Sequence, residues 1–243
     1  MNEYMNFWDK IFNFFIGIWD SFYQSVIYDN RYEYIFEGLF NTVIIALLAV
    51  IIGTIIGVII AFIRNNYDTN DKMKLANKIA KLYVNIIRGT PVILQLMIIY
   101  YVIFKSVDIN IIVVAVIAFG INSGAYVSEI IRAGINSIPK GQTEAGYSLG
   151  LNYSQVMKHI ILPQSIRNIL PALGNEFITL LKETSVGAYI GVIELTKASD
   201  IIASRTYDYF FPLFIIAVIY LIMTLGLSKL VNIMERRLNN VRN

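Results

Sequence analysis

Charged residues are absent from three long stretches of the chain, residues 38–63, 109–128 and 209–228. A helix of about 20 apolar residues crosses a hydrocarbon core about 30 Å thick. Within lipid, only a helix satisfies the backbone of a single spanning segment. The runs therefore predict helical spans at about 35–63, 109–131 and 209–230. The pattern between them is more polar. Residues 64–81 are basic, and a helical run follows Asp71 and ends near Arg88. Arg88-Gly89-Thr90-Pro91 interrupts that run, because proline offers no N–H and fits best in a first helical turn. A helix over residues 91–104 alone would be only about 21 Å long. The second span is therefore expected to start before Gly89 and to bend there. A fourth span is expected over about 164–193, strongly apolar around Glu176, Lys182 and Glu183, and residues 194–208 read as a connector.

The expected fold class is all-α: a polytopic membrane protein with about five transmembrane helices. Residues 1–33 form a separate N-terminal segment and 34–243 the transmembrane domain. Residues 7–27 are aromatic but carry Asp9, Lys10, Asn13, Asp20 and Gln24. That mixture suits a helix at the membrane interface, and an additional span is the alternative. Gly53 and Gly57 stand four apart, a spacing that lets another helix approach closely, although glycine is also simply common in membrane helices.

Composition agrees with this class and narrows the chemistry. The chain is 56% hydrophobic, with a mean hydropathy of +0.60. It has no cysteine and a single histidine, so thiolate chemistry and Cys-based metal sites are excluded. No His-Glu-x-x-His, paired-Asp or nucleophile–base set argues for an intramembrane enzyme, and His159 reads as a surface residue. No Gly-x-x-x-x-Gly-Lys-Ser/Thr loop is present, so ATP hydrolysis by that route is not expected of this chain. The first ten residues lack the basic start of a secretory signal, and none is expected. Basic loop residues divide thirteen to five between the two sides of a five-span chain, which predicts the N-terminus outside and the C-terminus in the cytoplasm.

Residues 137–163 are a polar, Gly- and Pro-punctuated loop on the predicted cytoplasmic side. Ser137-Ile138-Pro139 can start a short helix, and Gly150 can end it in a left-handed conformation. Asn152 and Gln155 then have capping-box spacing for a second helix, and Pro163 marks a bend or the start of the next span. The expected product is a compact helix–turn–helix knob. Within it, Glu144-Ala145-Gly146, Gly150 and Ile160-Ile161-Leu162-Pro163 stand at the spacing of the coupling loop of ATP-binding-cassette importer permeases. The chain resembles that family, with Gly146 where its pattern has a second Ala.

Further matches make it similar to the polar amino acid importer permeases, of the histidine, glutamine, arginine and cystine type. They are Arg88-Gly-Thr-Pro-x-x-x-Gln95-Leu, Ala125-Tyr-x-x-Glu129-x-x-Arg132-x-Gly134, and Leu162-Pro-Gln-Ser-x-x-Asn168-x-x-Pro171 running on to Lys182-Glu183-Thr184-Ser185. The resemblance covers about residues 34–235. It implies a bacterial plasma-membrane pore subunit that pairs with a second permease copy or a homologue, surrounded by lipid and binding no nucleic acid. It also implies ATP-binding-cassette ATPase subunits, which carry ATP and Mg while this chain binds no cofactor, and an extracytoplasmic amino-acid-binding protein. Glu144, Ala145, Gly146, Gly150, Leu162 and Pro163 are the expected ATPase-coupling residues. Ionisable groups within a membrane usually face a pathway or a partner. Lys182, Glu183 and Ser185, with Glu176 and Gln95, are thus candidates to line the route, and an internal salt bridge is the competing reading. Glu129 and Arg132, three apart, form a helix-end pair. Arg88 either snorkels to the interface or neutralises part of the pathway. An osmolyte permease and an ion-coupled carrier are the alternative functions.

Overall fold

The computed structural model describes residues 7–70 and 73–240. Asp71, the expected start of a helical run, and Arg242 of the basic tail lie outside the described residues. Helix α1 (Phe7–Phe22) is followed by a π-turn over Tyr23–Ile27 and a short 3-10 turn. Asp29 and Asn30 take φ of 57° and 54° there and turn the chain into α2 (Tyr32–Asn70). Then come α3 (Lys74–Gly89), α4 (Val92–Ile98) with a π-turn over Ile99–Ile103, and α5 (Ile111–Asn136). The short α6 (Lys140–Ser148) and α7 (Tyr153–Val156) precede a π-turn over Met157–Ile161 and α8 (Leu162–Glu183). A 3-10 segment over Thr184–Ile190 leads to α9 (Leu195–Thr206) and α10 (Phe210–Asn240). No strand occurs among the described residues.

The three uncharged runs are three long helices, over Tyr32–Asn66, Ile111–Asn136 and Phe210–Leu238, each able to cross a bilayer by length and composition. α8, with 22 residues, is about 33 Å long, enough to span, and carries the polar groups foreseen in it. The second span bends where it is expected to: between α3 and the stretch Val92–Ile103 the direction changes by 109°. The reason is local: Thr90 and Pro91 are both extended, with ψ of 147° and 135°, and the residue before a proline is driven out of the helical region.

α5 is the central element. Two thirds of its apolar window is buried inside this one chain, against about a tenth for α10. Its buried residues Val114, Ala115, Ala118 and Phe119 form the main core with Ile45 and Ala49 of α2, Leu96 of α4 and Leu180 of α8. Helices in lipid gain little from apolar burial and associate by close packing instead. α2 and α5 do this through glycines on both sides. A Cβ on Gly53 would stand 2.7 Å from the Ser123 Cβ, and one on Gly57 would stand 2.5 Å from the Val127 Cγ1. Gly120 and Gly124 of α5 receive Ile52 and Ile56 in return. The glycine spacing is therefore an interface, not a reflection of composition.

The connector over residues 194–208 is a folded helix. α9 buries Leu195, Ala198, Ser199, Ile202 and Ala203, and its start is fastened to α2. The Asn41 Nδ2 donates to the Ile193 carbonyl at 2.8 Å, and the Leu195 N–H to the Thr42 Oγ1 at 3.2 Å. A Cβ at Gly38 would meet the Glu194 backbone at 2.9 Å. The tie explains why a charged, polar-looking segment packs. Nearly every large apolar residue of α1, including Trp8, Phe12, Phe15 and Trp19, is exposed. The 16 residues of α1 and the five of the π-turn that continues it together reach about 30 Å.

Candidate functional site

The knob between α5 and α8 forms as two helices at right places in the chain. α6 starts after Pro139 and ends at a Gly150 with φ of 78°, a left-handed residue closing the helix. Asn152 and Gln155 make a full capping box, with Asn152 Oδ1 accepting from the Gln155 N–H and Gln155 Oε1 from the Asn152 N–H. Pro163 sits in the first turn of α8, directly after the π-turn Met157–Ile161. α7, its π-turn and α8 are continuous.

The expected coupling residues divide by exposure. Glu144, Ala145 and Gly150 are exposed at the tip, together with Leu149, which is 79% accessible. Leu162 is half-buried and Pro163 exposed at the root. Gly146 is buried: a Cβ there would lie 2.8 Å from Val156 Cγ2 and 2.9 Å from Ile160 Cδ1. Glycine at the place of the family's alanine thus lets α6 press on α7 more closely than alanine permits. Two side-chain ties hold the knob to the spans. Asn65 of α2 donates to the Tyr153 hydroxyl at 2.6 Å, and Asn168 of α8 to the Ser137 Oγ at 2.8 Å.

Polar groups also line up inside the bundle. Ser123 of α5 donates to Glu176 of α8 at 2.8 Å. Glu176 and Glu183, seven residues apart, share one face of α8. Lys182 is exposed, Glu183 and Ser185 are partly buried, and no ion pair joins Lys182 to Glu183 among the described residues. Gln95 is committed elsewhere. Its Nε2 faces the Ile87 carbonyl at 2.8 Å and the Thr90 carbonyl and hydroxyl at 3.0 and 2.8 Å, while its Oε1 accepts from the Asn122 Nδ2 at 2.9 Å. The Ile87 carbonyl is the one that an N–H at position 91 would have bonded, and Pro91 has none. Gln95 replaces that missing donor.

Glu129 and Arg132 meet, with the Arg132 Nη2 3.2 Å from the Glu129 Oε2. The pair is half of a larger cluster. Arg64 of α2 donates to the other carboxylate oxygen, and the Arg88 Nη1 stands 3.9 Å away with its guanidinium 5.5 Å from the Tyr126 ring centre. Arg64 gave no local signal, because it arrives from a different helix. Glu194 was also missed as a site. Fully buried, it caps α9 by accepting the Thr196 and Lys197 N–H groups at 2.7 Å and takes the Tyr220 hydroxyl at 3.2 Å. Among the described residues no cluster of His, Cys, Asp or Glu could hold a metal.

A bundle of apolar helices with carboxylates inside and a polar knob on one end is the architecture of a multi-pass membrane protein. Comparison with known proteins names its kind. The family described as the binding-protein-dependent transport system inner membrane component matches residues 53–240, and the chain belongs to that family. It is 41% identical over 170 residues to a putative glutamine transport system permease of Rickettsia felis, covering 69% of this chain and 78% of the relative. Over 164 residues it is 43% identical to the arginine transport system permease ArtQ of Bacillus subtilis, covering 67% and 75%. A solved amino acid ABC transporter with histidines superposes with a TM-score of 0.79 at 44% identity, over 84% of this chain and 94% of that one. The MetNI methionine ABC transporter shares the fold at a TM-score of 0.75 and 18% identity, over 87% of this chain and 99% of that one. The chain is a multi-pass membrane permease subunit.

Proposed function

We propose that this permease moves polar amino acids into the cell, driven by ATP hydrolysed on separate ATPase subunits. The observation that carries the coupling half is the knob: a Gly146-packed pair of helices, tied to α2 and α8, with Glu144, Ala145, Leu149 and Gly150 exposed at its tip. A short rigid body with an exposed small-residue and carboxylate tip suits a groove on a partner ATPase. The relatives' names, glutamine and arginine permeases among them, support the solute class. Two permease chains would enclose the pore, and an extracytoplasmic binding protein would deliver the solute. The N-terminus lies outside and the knob in the cytoplasm by the charge count. ATP-driven closure of the ATPase pair would favour one pore state by binding it more tightly than the other.

Inside the pore, Glu176 and Glu183 offer carboxylates to an ammonium group, while Lys182 and Ser185 offer donors to a carboxylate. Gln95 reaches the same stretch of α5 through Asn122, next to the Ser123 that bonds Glu176. The test is uptake of a labelled amino acid panel into vesicles holding the permease, ATPase and binding protein. ATP-dependent uptake of one or a few polar amino acids, lost on Glu144→Arg, is expected. Uptake of an osmolyte alone would reject the solute class. Uptake driven by an ion gradient without the ATPase would reject the coupling.

A further inference from the structure

The three-arginine cluster and helix α3 together carry an inference beyond transport itself. Arg64, Arg88 and Arg132 share one carboxylate, Glu129. No other acidic residue pairs with them among the described residues, so two positive charges stay uncompensated. Arg64 is nine-tenths buried and its Nε has no hydrogen-bond partner. Arg88 and Arg132 keep 45% and 40% of their side-chain surface open. Two half-open guanidiniums beside a buried third, with one carboxylate shared among them, are a site for an oxyanion. Arginine forks match phosphate oxygens in pairs.

The depth of the cluster and the shape of α3 say which oxyanion. Arg64 lies two residues before the end of the apolar stretch Tyr32–Asn66, and Arg132 four before the end of α5. Both ends lie on the knob side, at headgroup level. α3 buries Asn77, Ala80 and Val84 against the protein and exposes Leu75, Ile79, Leu82 and Ile86 in one row. Lys74, Lys78 and Lys81, all exposed, form a second row that leads along the helix to Arg88. α3 and the stretch Val92–Ile103 meet at 109°, so the two cannot both lie along the membrane normal. A helix with one apolar and one basic row, ending at a basic cluster between spans, is the arrangement that engages anionic lipid.

We infer that the cluster of Arg64, Arg88 and Arg132 binds the phosphate of an anionic phospholipid headgroup, with α3 lying on the same leaflet. The inference rests on the membrane orientation proposed above and not on the identity of the solute. The experiment is native mass spectrometry of the purified permease assembly with added phosphatidylglycerol or chain-matched phosphatidylcholine. Wild-type protein is expected to retain at least about fivefold more phosphatidylglycerol. The double variant Arg88→Gln, Arg132→Gln should fall to the phosphatidylcholine level, and Lys229→Gln on α10 should not.

Equal retention of the two lipids by wild-type protein overturns the proposal without the need for any variant to fold. So does full phosphatidylglycerol retention in the double variant. Displacement of the lipid by millimolar inorganic phosphate would reassign the cluster to a soluble phosphate and overturn the lipid source. Because the readout is bound lipid, lost uptake with intact lipid preference would count against the transport reading alone.

Discussion

Replacing Gly57 by alanine tests the glycine packing of α2 on α5 with the smallest change available. The new Cβ would stand 2.5 Å from Val127 Cγ1, 2.7 Å from Val127 Cβ and 3.0 Å from the Ser128 backbone nitrogen. Carbon atoms sit best at about 3.5–4.0 Å, so α5 must retreat by about 1 Å along its most buried face. Overpacking of this kind costs about 1–3 kcal/mol. Alanine also gains about 1 kcal/mol of helix propensity over glycine. Gly226 of α10 supplies the control, because nothing lies within 4 Å of a Cβ there. The propensity gain is common to both variants, so their difference isolates the clash, at about 1–3 kcal/mol. Equilibrium unfolding of both variants in the same mild detergent, with graded denaturant, measures that gap. Gly57→Ala should be less stable than Gly226→Ala by that amount. Equal stability would refute the close contact and with it the claim that this interface depends on having no side chain at Gly57.

Two further outcomes follow from the packing and the hydrogen bonds. Gly146→Ala should loosen the knob and lower the ATPase stimulation of the assembled transporter, and adding Val156→Ala should restore part of it by vacating the 2.8 Å contact; a single variant that behaves as wild type would show that the tip absorbs a methyl group. Gln95→Leu leaves the Ile87 carbonyl and the Asn122 amide without a partner, which should cost about 1–3 kcal/mol of stability and speed amide exchange around residues 87–95. Unchanged exchange there would reject Gln95 as the brace of the break.

What could be read from the sequence was mostly local. The knob was legible because Gly150, Asn152 and Gln155 act within a few residues of one another, and a capping box is complete in four. The three uncharged spans were legible because lipid imposes length and composition on each helix separately. Elsewhere the partner lies far along the chain. Arg64 meets Glu129 across 65 positions, and nothing near either residue announces the other. The spacing of Gly53 and Gly57 could be noticed, but the residues it admits, Ser123 and Val127, belong to a helix about 70 positions on. Residues 194–208 read only as a connector, because nothing near Glu194 announces that its carboxylate is consumed by its own helix and by Tyr220, 26 positions on. The break at Pro91 was visible, yet proline fixes only that the helix stops. The angle depends on which carbonyls find donors afterwards, and here Gln95, Thr90 and Asn122 decide that together.

That arrangement has a bearing on leakage. An interrupted helix normally leaves bare carbonyls that recruit solvent, and a file of ordered solvent molecules can pass protons from one face of a membrane to the other. At this break the Thr90 hydroxyl donates to the Ile86 carbonyl at 2.8 Å and the Gln95 amide to the Ile87 carbonyl. The chain hydrates itself with its own side chains. The Ile86 and Ile87 carbonyls at this sharply turned junction therefore need no solvent partner, although residues 88–91 are themselves exposed.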